Sequence, residues 1–366
     1  MSESNLFWAL ALKRIPGVGA ITARKLIDRF GGAEEVFSAA DESLDEVLNT
    51  NVFAEMRKYD PRKDDWINNE IERIEKAKAH AYTILDDDYP ENLRVIPDAP
   101  VIIYVIGEII KQDELAIGIV GTRRPSRYGV EQSRKFADYL VRQGVTIVSG
   151  MASGVDGNAQ DAAIRAGGRT IAVLGCGADI VFPSSNRQLY DQIKENGAIV
   201  SEYALGTHPE PAFFPPRNRI ISGLSKAVLV IEGGGKSGAL ITAKAAASQG
   251  RDVYALPGQV DRPTSEGPNQ LIRDGAIPAL KPSDLLTSLK IDALEEDSRK
   301  EIKNWADKLD GLAKTVYSAI EFEGTTVDFI SAKTNMEIPA ILAILTELEM
   351  KDIVKRIPGS KYSKNV

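Results

Sequence analysis

Between residues 116 and 257 the chain repeats one pattern, in which a short apolar run alternates with a longer amphipathic segment. The apolar runs include AIGIV, TIVS, TIAVL and AVLVI, and the amphipathic segments include GVEQSRKFADYLVRQG and ALITAKAAASQG. Glycine at the end of a helix and again after the next strand is typical of βα units. This alternation predicts a mostly parallel sheet with helices on both faces, which is the Rossmann-like α/β class.

Two flanking segments differ from this pattern. Residues 1–75 are typical of short helices, and residues 307–366 of three helices followed by a β-ribbon, the order of a winged helix. We therefore predict a helical domain over 1–75, a core over 80–290, a charged linker over 291–306 and a winged-helix domain over 307–366. A small helical cap without a DNA role is the alternative for the last segment.

The N-terminal segment contains RIPGVGAITARKLIDRFG, which fits a helix-hairpin-helix (SAM-like) motif with Gly17 and Gly19 at the hairpin. Such a hairpin offers backbone N–H groups to one pair of phosphates without reading bases. Arg24 and Lys25, in the helix that follows the hairpin, are placed to bind the same phosphates. A purely structural helical domain also explains these residues, so both interpretations stay open.

The charge of the chain is unevenly distributed. Formal charges sum to −8 over residues 1–110, to +4 over 111–290 and to −3 over 291–366, which together give the net charge of −7. Because local patches decide whether phosphate binds, the mildly basic middle segment keeps a nucleic-acid ligand possible.

Cysteine and histidine are scarce, with one Cys and two His in 366 residues. This excludes an internal disulfide framework, favours a reducing cytoplasm and leaves little material for a zinc site, so we expect no metal. Apolar runs such as VIIYVIG have the length of a strand, so we also expect no membrane contact.

The loops that follow the predicted strands carry cations and glycines. Ligands of an open parallel sheet bind beyond the carboxyl ends of its strands. Arginines there can hold phosphates, glycines let phosphates reach backbone N–H groups, and aromatic rings can stack on bases. The residues that we expect to bind the backbone of a single nucleic-acid strand on these grounds are Gly121, Arg123, Arg124, Gly150, Gly154, Arg187, Phe213, Arg217, Asn218, Arg219, Lys236, Ser237 and Gly238.

The stretch EGGGKSGALITA contains GKS but is not an ATP-binding P-loop, because the required first glycine falls at Val230. Lys236, Ser237 and the helix start can still bind one phosphate. Catalytic signals are weak: there is no G-x-S-x-G, and Asp156 and Glu202 follow different strands. We expect a binding protein with no catalytic residues and no cofactor.

These stretches together resemble the DprA (Smf) family of bacterial DNA-processing proteins. The resemblance runs through GIVGTRRPSRYG, IVSGMASGVDGNAQDAA, TIAVLGCGADIVFPSSNRQL, SEYALGTHPEPAFFPPRNRIISGLS and EGGGKSGALITAKAAASQGRDVYALPG, within about residues 85–290. It implies a Rossmann-like homodimer that binds single-stranded DNA, protects incoming strands in natural transformation and loads the RecA recombinase, displacing single-strand-binding protein.

The resemblance also implies site residues. The family's G-[ST]-R loop corresponds to Gly121, Thr122 and Arg123, the residues after the F/Y-P turn to Asn186 and Arg187, and the RNR stretch to residues 217–219. Ser149, in IVSGMASG, completes the candidate set.

Three departures from the family pattern imply weaker binding than is typical. Ser184 stands where lysine is common, Ser153 where arginine is frequent, and Gln160 where the family has histidine.

Two other functions stay open. The LOG (lysine-decarboxylase-like) phosphoribohydrolases share this scaffold, but the position of their catalytic glutamate in P-G-G-x-G-T-x-x-E holds an apolar or small residue in EGGGKSGALITA. A double-stranded DNA regulator that uses the winged helix needs a basic recognition helix, whereas EIPAILAILTELEMKD is acidic and apolar.

Overall fold

The computed structural model describes residues 3–289, 311–320, 324–350, 353–357 and 360–364. The chain divides into two compact units, Met1–Ile291 and Asp292–Val366, which are described separately. The linker predicted over 291–306 lies outside the described residues.

The first unit combines α-helices with one long sheet. Its helices are α1 (Glu3–Arg14), α2 (Ala20–Phe30), α3 (Ala33–Ser38), α4 (Asp41–Asp45), α5 (Thr50–Lys58), α6 (Asp65–Lys76), α7 (Glu91–Arg94), α8 (Arg127–Arg142), α9 (Val155–Arg165), α10 (Arg187–Asn196), α11 (Phe214–Gly223), α12 (Gly238–Ser248), α13 (Glu266–Arg273) and α14 (Leu286–Leu289). Its strands are β1 (His80–Thr83), β2 (Ile102–Gly107), β3 (Ala116–Val120), β4 (Thr146–Ser149), β5 (Thr170–Val173), β6 (Ala198–Ser201), β7 (Ala227–Val230), β8 (Asp252–Ala255) and β9 (Ile277–Pro278).

The strands form a sheet in the order β1-β2-β6-β5-β4-β3-β7-β8-β9. Strands β3 to β9 pair in parallel, whereas β1 with β2 and β2 with β6 pair antiparallel. The chain builds outward from β3 through β4, β5 and β6, then returns to place β7 on the other side of β3. The predicted α/β class with a mostly parallel sheet is confirmed, and the strand order reverses between β3 and β7.

Successive residues of the central strands face two different core layers, as the period of a strand requires. In β3, Ile117 and Ile119 pack in the layer that contains α8 and α9, while Val120 packs in the layer that contains α11 and α12. Helix α8 buries Phe136 and Leu140, each at most 1% exposed, which contribute about 1.5–3 kcal/mol apiece. Burial on both faces explains why these strands are apolar throughout rather than alternating.

The N-terminal helices share a core with the sheet. Leu10 and Ile15 of the first helix region belong to the same buried cluster as Ile102 and Tyr104 of β2. Residues 3–75 are helical, as predicted, apart from short connections, and they form one compact unit with the sheet. The boundary near residue 75 stays a prediction.

The second unit has the winged-helix order that the sequence predicts. Its elements are α15 (Gly311–Ala319), β10 (Thr325–Thr326), α16 (Val327–Thr334), α17 (Ile338–Met350), β11 (Val354–Ile357) and β12 (Lys361–Lys364). The strands form an antiparallel sheet in the order β10-β12-β11. Val316, Ile341 and Leu345 pack in its core, each fully buried.

A search of the described helices finds none that combines the length and apolar character needed to cross a bilayer.

Gly107 ends β2 in a conformation that only glycine adopts without strain, with φ of +88°. A Cβ there would lie 2.5 Å from the carbonyl oxygen of Gly197 and 2.8 Å from that of Lys194. Gly144 has a similar φ of +77°, but a Cβ there meets no described atom within 4 Å. An alanine at position 144 therefore introduces backbone strain alone, whereas an alanine at position 107 adds a steric clash to it.

We expect Gly144→Ala to lower the free energy of unfolding by roughly 1–2 kcal/mol, the cost of a left-handed backbone. Gly107→Ala should lower it by about 1–3 kcal/mol more, because the added methyl group displaces backbone. Urea unfolding followed by circular dichroism measures both. Equal losses would contradict the packing of β2 against the end of α10.

Candidate nucleic-acid interface

A cavity of about 620 Å³ opens at the carboxyl edge of the sheet, where the strand order reverses. It lies between the loop after β3, the first turns of α11 and the start of α12. A topological switch point is where open α/β sheets bind their ligands. Seven residues of the predicted site line it: Gly121, Thr122, Arg123, Arg217, Asn218, Ser237 and Gly238.

The loop after β3 is held by backbone contacts on both sides. The Thr122 N–H donates to the carbonyl oxygen of Glu232 at 2.7 Å, and the Thr122 carbonyl accepts from the Val155 N–H at 3.2 Å. Gly154, with φ of +89°, allows this approach, because a Cβ there would lie 2.4 Å from the Thr122 oxygen. The loop thus holds the exposed Arg123 at the cavity on a fixed backbone.

One face of α11 lines the cavity. Phe214, Arg217, Asn218 and Ile221 follow the i, i+3, i+4, i+7 spacing that places side chains on the same side of a helix. The Asn218 amide donates to the carbonyl oxygen of Gly238 at 3.2 Å and so links α11 to the start of α12.

The guanidinium of Arg217 is buried in the floor of the cavity, with the residue only 4% exposed. Its Nη1 donates to the carbonyl oxygen of Gly150 at 3.0 Å and also to that of Val173. A Cβ on Gly150 would lie 2.7 Å from Arg217 Nη2, so the close approach requires glycine. Arg217 thereby joins the ends of β4 and β5 to α11.

Asp156 accompanies Arg217 in the buried floor. Its Oδ2 accepts from the Gly150 N–H at 3.1 Å. Burial raises the pKa of Asp156, while the charge of Arg217 opposes that rise; burial lowers the pKa of Arg217, while the charge of Asp156 opposes that fall. The two groups therefore stabilise each other's charged forms, and Arg123 is the exposed arginine of the cavity lining.

One aromatic ring lies within about 6 Å of both arginines. The Phe214 centroid is 5.6 Å from the guanidinium carbon of Arg123 and 5.9 Å from that of Arg217. Phe182 packs beside it, with ring centroids 5.5 Å apart. A ring next to a cation is the arrangement with which single-strand grooves stack bases and hold phosphates.

The candidate set named Phe213, whereas the cavity is lined by Phe214 and Phe182. The Phe213 ring stacks on Tyr203, with centroids 4.4 Å apart. The helical spacing from Phe214 to Arg217 is the signal that distinguishes the two neighbouring phenylalanines. Nothing in the linear pattern singles out Phe182.

The start of α12 contributes a polar turn. The Ser237 hydroxyl accepts from the Ala239 N–H at 3.3 Å and caps the helix. Gly238, exposed, begins the helix, and a Cβ there meets no described atom within 4 Å. Lys236 is exposed one residue before the cap. The positive end of the helix dipole and this lysine favour an anion.

Other predicted residues lie outside the lining of this cavity. The buried Ser149 donates to the Ile119 carbonyl at 2.6 Å, and Arg219 pairs with Glu202 at 2.6 Å and with Asp98 at 3.4 Å. The remaining ones are Gly150, next to the floor; Gly154 and Asn186, which line a neighbouring depression of about 520 Å³; and the exposed Arg124 and Arg187.

No metal centre is formed within the described ranges, where no group of three or more His, Cys, Asp or Glu could hold an ion. Of the two carboxylates that follow strands, Glu202 is paired with Arg219, and Asp156 lies in the floor beside Arg217.

Comparisons with known proteins place the whole chain in one family. Residues 80–290 match DNA recombination-mediator protein A, and residues 303–360 match the DprA winged helix domain. The protein Smf of Synechocystis sp. is 34% identical over 403 residues, covering 100% of both chains.

Two solved structures share the fold. The X-ray structure of DNA processing protein A from Streptococcus pneumoniae is 32% identical, with a TM-score of 0.67, and the match covers 77% of this chain and 97% of that one. DNA processing protein A from Helicobacter pylori, whose structure concerns its single-stranded DNA binding mode, is 29% identical, with a TM-score of 0.52, and the match covers 58% of this chain and 95% of that one. The resemblance found in the sequence is thus confirmed, and the chain belongs to the family of DNA recombination-mediator protein A.

Proposed function

We propose that this chain binds single-stranded DNA in the 620 Å³ cavity beyond the carboxyl ends of β3 and β7 and acts as a recombination mediator. The observation that carries the proposal is Phe214 next to the guanidinium groups of both Arg123 and Arg217, in a cavity that also includes the start of α12. The exposed Arg123 binds a phosphate, Phe214 stacks on a base, and the α12 turn holds a second phosphate.

The geometry favours a single strand over a duplex. A cavity of about 620 Å³ accepts a flipped or unstacked base, but the stacked bases of a duplex keep their faces covered. The contacts available are a ring face, cations and backbone N–H groups, so we infer binding that depends little on sequence. The single-stranded DNA binding of the Helicobacter pylori relative supports this assignment.

The proposal also includes the biological role of the chain. As a recombination mediator of this family, the chain protects incoming strands in natural transformation and loads RecA in place of single-strand-binding protein. We also propose that it works as a homodimer in the cytoplasm. The DprA winged helix match over residues 303–360 supports the family role.

We propose binding rather than catalysis. In the α12 loop the first turn of the helix carries Gly238, Ala239 and Leu240, with no glutamate of the LOG type. Asp156 is buried against Arg217 rather than exposed to a substrate.

The first prediction of this proposal concerns the exposed arginine. Arg123→Ala should weaken binding of a labelled oligothymidine by about 1.5–3 kcal/mol, roughly tenfold or more, because a charged hydrogen bond is lost. The slope of log K against log salt should fall by about 0.7, one phosphate contact on a single strand. Fluorescence anisotropy across a salt series measures both.

Arg142 provides the matched control. It is exposed, pairs with Asp138 at 2.9 Å and ends α8, at the opposite edge of the sheet. Arg142→Ala should leave affinity and slope unchanged. Equal losses from the two variants, or equal affinity of the wild type for single strand and duplex, would contradict the proposed site.

The second prediction separates the two neighbouring phenylalanines. Phe214→Leu should weaken oligothymidine binding by about 1–3 kcal/mol, the usual contribution of one stacked base. Phe213→Leu, which removes the ring that stacks on Tyr203, should change affinity much less. The same anisotropy assay, with thermal unfolding of each variant, reports the difference; a larger loss from Phe213→Leu would refute the stacking role of Phe214.

A further inference from the structure

A second cavity, of about 720 Å³, lies at the same edge of the sheet. It is bordered by the loops after β3, β7 and β8, so it also lies beyond the carboxyl ends of parallel strands. The side chains that matter here are those of Arg127, Tyr128, Gln259 and Arg262. None of the residues predicted from sequence to bind DNA lines it.

The ring of Tyr128 is fixed but partly uncovered. The residue is 43% exposed, and its hydroxyl donates to the Pro257 carbonyl at 3.3 Å. The loop that accepts this bond is itself held, because Gly258 exchanges hydrogen bonds of 3.1 and 3.0 Å with the side chain of Asn269. An aromatic ring that is anchored at its hydroxyl and open on its surface suits the stacking of a base, since little side-chain freedom remains to be lost.

Residues 123–126 and 232–237 each run from the lining of one cavity to the lining of the other; we call these two segments the ridge, and Glu232 bonds them together. Its carboxylate accepts from the Ser126 N–H at 2.8 Å, from the Ser126 hydroxyl at 2.6 Å and from the Thr264 hydroxyl at 3.2 Å. The carboxylate that lines the second cavity is therefore already hydrogen-bonded, which reduces its repulsion of a phosphate.

Arg124 and Lys236 lie on this ridge. Arg124 stands between Arg123, which lines the first cavity, and Ser126, which lines the second. Lys236 likewise stands between Glu232 of the second cavity and Ser237 of the first. Both are exposed, and within the described ranges neither side chain forms an ion pair.

The cations of the second cavity are available to a ligand. Arg127 contacts Glu131 at 2.8 Å, but its side chain is 84% exposed, and an exposed pair of this kind is weak enough for a phosphate to replace. The Arg262 guanidinium donates to the Gln259 side chain at 3.1 Å, a neutral partner. The exposed Asp261 and Glu266 are opposing charges nearby, and Glu266 already accepts from the Gly235 N–H at 3.1 Å.

The geometry points to a second nucleotide subsite for the same DNA strand. The strand leaves the cavity at Arg123, crosses the ridge over Arg124 and Lys236, and places one base on Tyr128 with its phosphate near Arg127 and Arg262. The chain from Arg123 to Arg127 spans at most about 14 Å, a reach of a few nucleotides. This inference rests on the proposed function, because it extends the path of the strand bound there.

The test uses the full chain and an oligothymidine of about 20 nucleotides. Tyr128→Ala should weaken binding about fivefold or more, because one stacked base is lost. Tyr128→Phe keeps the ring and removes only the bond to Pro257, so its loss of affinity should be much smaller than that of Tyr128→Ala. The salt slope of Tyr128→Ala should be unchanged, since the ring carries no charge.

A photocrosslink tests the contact without any substitution. An oligonucleotide that contains 5-iodouracil should form an adduct within the tryptic peptide 128–134 of the wild-type protein. This measurement decides the matter if Tyr128→Ala fails to fold, which thermal unfolding reports.

The outcomes separate this inference from the function on which it rests. If Arg123→Ala weakens binding while Tyr128→Ala does not and no adduct forms at residues 128–134, the second subsite is refuted and the first stands. Equal losses from Tyr128→Ala and Tyr128→Phe would assign the effect to the anchoring hydrogen bond and overturn stacking. If Arg123→Ala also has no effect, the proposed function itself fails.

Discussion

The buried guanidinium of Arg217 connects the elements on which the rest of the cavity depends. It donates to backbone carbonyls at the ends of β4 and β5 and lies beside the carboxylate of Asp156 at the start of α9. A buried cation without such partners is strongly unfavourable, so the hydrogen bonds and the nearby charge fix where α11 sits. Phe214 and Asn218, on the same helix face, take their positions from that placement.

The site therefore divides into a floor and a rim with different tasks. Arg217 and Asp156 are buried and satisfied within the protein, so they set the shape of the cavity. Arg123 and Lys236 are exposed, so their charges face solvent at the rim. Two glycines allow the floor and the rim to approach closely. A Cβ on Gly150 would meet the guanidinium of Arg217, and a Cβ on Gly154 would meet the backbone of the loop that carries Arg123.

The sequence predicted the fold and the edge of the sheet that carries the cavity, because apolar periodicity and glycine spacing are local signals. It predicted the loops at this edge but not every side chain within them. Arg217 and Arg219 look equivalent in RNR, yet two residues turn a helix by about 200°, so one faces the cavity and the other meets Glu202. Which of the two arginines faces the cavity depends on how α11 packs against β4 and β5. A short sequence motif does not contain that tertiary information. The anchoring of Tyr128 cannot be predicted from a short motif either, since its partner Pro257 is 129 residues away.

Glu202 has a further consequence for how the N-terminal helices relate to the cavity. Its side chain pairs with Arg219 on the outer face of α11, and its backbone carbonyl accepts from Lys13 of α1. Helix α11 thus lines the cavity with one face and, through Arg219, contacts with the other the residue that also meets the N-terminal helices. The N-terminal helices and the ten-residue α11 therefore share Glu202 as a contact, and Glu70 of α6 accepts from the Leu205 N–H at 2.8 Å, so the N-terminal segment supports the loop after β6 at the carboxyl edge of the sheet.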